Sequence, residues 1–246
     1  QGGAVNNAGD LRIVESVLRD NVSTGSGGAV YNSNLLTVHR STITANTAGQ
    51  EGGAAFNASF FLASTVSVVD SSVTLNFAGN GGGALMNYGG DMVVVGSTLS
   101  KNSAGLLGGA IWNYSAGRLR VANSTISDNV NHWSYGGGLL NSATAELRNV
   151  TVANNVAGDG SANGIGGGIS NGEGASLTLA NTIVADNSST YFGVGLAPDC
   201  YDGGRASTVT SQGYNLIGIV DSECTIDGDT TGNVTTMTVP IGDFQF

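Results

Sequence analysis

The chain has 246 residues, 40 of them glycine and 2 proline, with 11% charged; it is too apolar for disorder and lacks the glycine at every third position that collagen requires. Eighteen acidic residues against eight Lys and Arg give a net charge of −10, which excludes nucleic acid and anionic lipid as partners. No apolar run approaches the ~20 residues that span a bilayer, so the chain is not read as membrane-spanning.

The chain opens at Gln1 rather than Met, as a processed or trimmed product would, and is already inside a repeated phrase. GGAVNN, GGAVYN, GGAAFN, GGALMN, GGAIWN, GGGLLN and GGGISN end at Asn7, Asn32, Asn57, Asn87, Asn113, Asn141 and Asn171, in steps of 25 to 30 residues. A second phrase keeps pace with the first and ends at Asn21, Asn46, Asn76, Asn102, Asn129, Asn155 and Asn187. A period of this size signals a solenoid, and the intervening segments alternate in steps of two with Val, Ile, Thr and Ser, so each turn is built from strands.

Four aliphatic columns run through the repeats. Ten and eight residues before the second-phrase Asn stand Leu11, Leu36, Val66, Met92 and Ile13, Val38, Val68, Val94 with their successors; three before it stand Leu18, Ile43, Val73, Leu99, Ile126, Val152 and Val184. Two before the first-phrase Asn stand Val5, Val30, Ala55, Leu85, Ile111, Leu139 and Ile169. Three short strands per coil, each with inward aliphatics, describe a parallel β-helix of seven to eight coils stacked ~4.8 Å apart. The recurring Asn residues then form amide ladders, and the paired Gly residues supply the positive φ or close approach of a corner. Residues 1–187 are the regular coils; 188–246 form final irregular coils and a capping or docking segment of the same domain.

The phrases GGA[VALI]xN and [ST]-T-[IVL]-x-x-N resemble the repeats of bacterial surface β-helix proteins of the polymorphic outer-membrane-protein type. The segments PDC at 198–200, SQGYNLIG at 211–218 and CTIDGDTTGN at 224–233 resemble the end of secreted β-helix proteins that carry interchangeable anchors. The resemblance implies a right-handed helix, export to the cell surface and no catalytic residues to carry over.

Chemistry is sparse. Lys101 is expected to pair with Asp128 across coils and Arg120 with Glu146, while His39 and His132 share no phase and read as surface or turn residues. Cys200 and Cys224, the only cysteines, suit a disulfide better than a zinc site, with free thiols as the alternative. Asp227 and Asp229 lie among the acidic residues that follow the repeats, either as a fragment of a calcium site or as solvated loops; no other cofactor is expected.

The residue just before each first-phrase Asn should point outward, which exposes Tyr31, Phe56, Met86, Trp112 and Leu140 as an apolar stripe beside a strip of Ala and Gly. Its occupant is the chain's own tail, a partner protein or a glycan. Val5, Leu11 and Ile13 at one end and Met237, Val239, Ile241, Phe244 and Phe246 at the other are candidates for a head-to-tail joint between copies. The expected function is a non-catalytic extracellular structural or surface protein that self-assembles through its ends. A glycan-binding adhesin or polysaccharide lyase on the same scaffold is the alternative.

Overall fold

A computed structural model describes residues 1–59, 63–159, 163–190, 198–219 and 223–235; Met237, Val239, Ile241, Phe244 and Phe246 lie outside them. The described residues are all strand, turn and coil, and every strand pairing is parallel. The chain is a β-solenoid of about seven turns with three sheets running its length.

The first sheet collects the first-phrase strands, from Val5–Asn7 through Ile111–Tyr114 to Cys200–Asp202, eight in register. The second takes the next two strands of each coil, which fuse in Arg118–Ser127 and Thr144–Ala153 into single bent strands. The third is a column of two-residue strands such as Ser103–Ala104.

All four aliphatic columns meet in one interior cluster, in which Leu36, Ile43, Leu85, Leu99, Ile111, Ile126, Leu139 and Ile169 are fully buried. Neighbours in a column come from residues 25 to 32 apart in the chain, so no coil has a core of its own and burial is shared between rungs.

Corners are held by three ladders. In the first, the amide Nδ2 of each Asn from Asn7 to Asn141 donates to Oδ1 of the Asn one coil on, over 2.7–2.9 Å. In the second, both the backbone N and Nδ2 of each Asn from Asn21 to Asn155 donate to the next Oδ1; Asn102, for instance, reaches Asn129 at 2.9 and 3.0 Å. The third is a Ser ladder: the backbone N of Ser16, Ser41, Ser71 and Ser97 each donates to the Oγ of the following Ser, ending at Ser124, at 3.0 Å.

The residue before each Ser or Asn of the last two ladders sits in the left-handed region, with φ between 45° and 59°, whether it is Asp70, Leu75, Lys101 or Asn154. Left-handed backbone costs a non-glycine residue roughly 1–2 kcal/mol, and the ladder bonds on both sides hold it there. Glycine is required at the first-phrase corner for two separate reasons. Gly52 has φ +67°, and a Cβ on Gly53 would stand 2.1 Å from the Gly83 carbonyl oxygen of the next coil.

Cys200 and Cys224 form a disulfide. Cys200 stands in register with Ile169, and both cysteines belong to the interior cluster, so the bridge takes the place of an aliphatic pair in the last coil. The second Asn ladder also ends in this coil: Asn187 donates from N and Nδ2 to Oδ1 of buried Asp199 at 3.0 and 2.8 Å, and the Ile219 N–H donates to Oδ2 at 2.7 Å. A carboxylate suits the end of a one-way chain of donors, because it accepts without needing an acceptor beyond it.

Candidate functional site

The first sheet's outer surface carries the stripe. Tyr31, Phe56, Met86, Trp112, Leu140, Ser170 and Tyr201 stand in one register column, six rung steps long, which is ~29 Å at the usual strand spacing. They point away from the interior as expected, and Tyr31, Phe56 and Met86 form a cluster separate from the core.

Their expected exposure is corrected. Tyr31 is 8% exposed, Phe56 4%, Met86 1% and Leu140 5%, and Trp112 is half-buried. Each large side chain is covered above and below by the same column in the next coil; the Tyr31 and Phe56 rings stack with centroids 5.3 Å apart. Burial pushes the Tyr31 phenol above its ordinary range. The Ala strip is also corrected: Ala29, Ala54, Ala84 and Ala110 are fully buried in the interior cluster and do not floor a groove. At the equivalent Gly168 even a Cβ has no room, since it would stand 2.5 Å from the Asp199 carbonyl oxygen and 2.7 Å from Nδ2 of Asn187.

Two ridges that sequence reasoning missed flank the stripe. On one side, Glu51, Gly81, Leu107, Tyr135 and Ile165 are joined coil to coil by single parallel bridges. On the other stand Tyr88 and Tyr114, in register two residues beyond Met86 and Trp112, with ring centroids 5.6 Å apart. The alternation that placed Trp112 outward also places Tyr114 outward, so their signal was present in the sequence.

Between the ridges lie two hollows. One, of about 270 Å³, is lined by Tyr31, Phe56, Met86 and Glu51; the other, of about 410 Å³, by Leu140, Ser170, Tyr135 and Tyr201; Trp112 and Tyr114 line both. Neither is lined by a Lys or Arg side chain, and Glu51 and Glu173 contribute carboxylates. Glu51 accepts from Ser26 Oγ at 2.7 Å and Asn80 Nδ2 at 3.2 Å. Two polar atoms in the trough have no partner: the Trp112 indole Nε1 and the Ser170 Oγ are both buried and make no hydrogen bond. Gly81 makes room for the indole, because a Cβ there would meet Trp112 Cε3 at 2.6 Å.

The remaining candidates do not converge. Asp227 and Asp229 lie on the exposed strand Ile226–Asp229. The Asp229 carboxylate turns back to accept the Thr231 N–H at 2.9 Å, and hydrogen bonds from Thr231 lower its pKa. No group of three or more His, Cys, Asp or Glu is placed to hold a metal among the described residues. Arg120 meets Glu146 at 3.8 Å as expected; Lys101 and Asp128, both on left-handed corners, form no ion pair among the described residues, which corrects that pairing. His132 Nδ1 lies 2.6 Å from Asp159 Oδ2 and His39 Nε2 3.6 Å from Asp70 Oδ2, on exposed or half-exposed side chains. Neither pair extends to a hydroxyl, thiol or third acid among the described hydrogen bonds. Val5 and Leu11 are half-buried against the core and Ile13 is buried.

No helix among the described residues is long and apolar enough to cross a membrane. Compared with protein-family models, curated proteins and solved structures, the chain matches none of them.

Proposed function

We propose that this chain is a non-catalytic, exported surface protein: a rigid β-solenoid that presents a lateral contact trough and does no chemistry there. The likeness of its repeats to bacterial surface β-helix proteins of the polymorphic outer-membrane-protein type supports that setting. The Cys200–Cys224 bridge supports export, because disulfides persist in oxidising compartments.

The observation that carries the reading is the separation of the trough's two carboxylates. Glu51 and Glu173 lie four rung steps apart along the axis, or ~19 Å, whereas paired carboxylates that cleave glycosidic bonds stand roughly 5–10 Å apart. With no Lys or Arg lining either hollow, neither carboxylate of the trough is flanked by a second acid or a cation; a separate hollow of about 210 Å³ on the second sheet does bring Asp91 together with Arg118 and Arg120, without a His or a second carboxylate among its lining residues. The repeated Asn and Ser side chains are spent on ladders at the corners.

The test is incubation of the purified protein with a panel of neutral and acidic polysaccharides, following new reducing ends and the absorbance of unsaturated products. No product is expected. Turnover with any substrate overturns the non-catalytic reading.

Met237, Val239, Ile241, Phe244 and Phe246, which would complete a head-to-tail joint with Val5, Leu11 and Ile13, lie outside the described residues.

A further inference from the structure

We propose that the trough on the outer face of the first sheet binds a single strand of neutral polysaccharide, laid along the solenoid axis across the Trp112 rung. The inference rests on the non-catalytic reading only for the claim that the strand is held and not cut.

Three observations point to this ligand. The first is the pair of orphan polar atoms. Ser170 is 1% exposed, its Oγ has no partner, and it lines the larger hollow; the Trp112 Nε1–H is likewise buried and unpaired where the two hollows meet. A buried, unsatisfied donor costs the folded protein free energy, and a ligand that brings acceptors into the trough recovers it. A purely apolar occupant, such as a hydrophobic peptide face, would leave both groups unpaired. A sugar offers a hydroxyl or ring oxygen beside every apolar patch.

The second is the aromatic lining. Tyr31 and Phe56 are covered by their own stacking, but Tyr88, Trp112 and Tyr201 are half-buried and Tyr114 is exposed along the trough, with Trp112 and Tyr114 tilted at 45° and their centroids 5.1 Å apart, so these rings offer edges and part of their faces. Aromatic faces pack against the C–H faces of pyranose rings while leaving the equatorial hydroxyls free to bond at the rims.

The third is charge. The lining carries the carboxylates of Glu51 and Glu173 with no Lys or Arg, on a chain of net charge −10. This repels uronates and sulfated chains and selects an uncharged strand.

The experiment uses the Trp133→Phe protein, in which Trp112 is the only tryptophan, and titrates it with soluble hexaoses of cellulose, chitin, xylan and mannan, with polygalacturonate and hyaluronate as anionic probes. At least one neutral hexaose is expected to shift Trp112 emission and to retard the protein in an affinity gel; the anionic chains are expected to do neither. Tyr114→Ala, at an exposed rim position, should weaken binding about tenfold while leaving the melting temperature and far-ultraviolet circular dichroism unchanged. Ser170→Ala should weaken it about threefold to tenfold.

Failure of every neutral hexaose to bind, equal binding of the anionic chains, or binding indifferent to both substitutions overturns the assignment. So does self-association abolished by Tyr114→Ala, which would give the trough to a second copy. A synthetic peptide of residues 236–246 that shifts Trp112 emission would give it to the chain's own tail and also overturn it. A bound hexaose that is cleaved leaves the site standing and sinks the non-catalytic reading; absence of binding does the reverse.

Discussion

Leu85 and Met86 are adjacent on one strand and are 0% and 1% exposed, yet they belong to different surfaces. Leu85 faces the interior cluster, where every rung repeats an aliphatic side chain and the polar groups at the corners are paired through ladders. Met86 faces outward into the stripe, which is sealed by its own stacking but leaves the Trp112 Nε1 and, three rungs beyond Met86, the Ser170 Oγ without partners. Burial alone therefore does not separate scaffold from site in a stacked solenoid, because a column covers itself on either face. Hydrogen-bond satisfaction separates them better: among the described residues the corner ladders beside the inner face leave one orphan, Ser64 Oγ, and the outer face leaves two.

The sharpest way to break this contrast is to unfinish the inner framework. Asn102 accepts from the N and Nδ2 of Asn76 and donates to Asn129 Oδ1 and the Val73 carbonyl, all buried. Asn102→Ala orphans the buried Asn76 N–H and removes three further buried bonds, whose partners keep others or, at the Val73 carbonyl, lose one donor, so we expect a loss of ~2–5 kcal/mol, read from urea denaturation. Ile111→Ala, which opens a cavity in the interior, should cost ~2–5 kcal/mol in the same assay. A loss below ~1 kcal/mol at either site would mean that the rungs do not depend on one another as described.

The interior was legible because its chemistry repeats. Aliphatics recurring at fixed offsets from Asn located all four core columns, and the amide ladders followed from identical residues stacked in register. The Ser ladder was just as visible, five residues before the second-phrase Asn, but a hydroxyl that bonds a backbone N–H leaves no mark in hydrophobic periodicity. The stripe was placed on the correct face with the wrong exposure, since alternation gives direction and only the stacked side chains decide solvent access. Asp199 was unreadable as a ladder member: it lies 12 residues from Asn187, where the other steps are 25 to 32, and it is the neighbour of Cys200 in the first sheet.

That last coil sharpens the comparison differently, because a covalent bond and a carboxylate replace repetition. The disulfide closes a separation of 24 residues and should contribute ~3 kcal/mol, so Cys200→Ala with Cys224→Ala is expected to lower the urea midpoint accordingly. Asp199 has a smaller, pH-dependent effect. Burial raises its pKa above the ordinary 3.8; hydrogen bonds from Asn187 and Ile219 oppose the rise and Asp186 adds to it. A carboxyl raised on folding contributes stability that is full below the unfolded value and lost as pH rises through the folded one. Thermal melts should therefore show Asp199→Asn gaining on the parent protein as pH increases from acid towards neutral, and a difference independent of pH would contradict the burial of an ionisable group there.

The smallest expected effect separates the two faces most directly. Trp112→Phe removes the indole N–H, which has no partner to lose, and also removes packing volume beside Gly81 and Tyr114. Relief of the unsatisfied donor, ~1–3 kcal/mol, opposes the loss of buried apolar contact, so the net change in stability should stay within ~1 kcal/mol. An interior position offers no such offset, since Ile111 has no polar atom to relieve. If Trp112→Phe cost as much as Ile111→Ala, the indole N–H would be satisfied in solution, and the contrast between the two faces would fall.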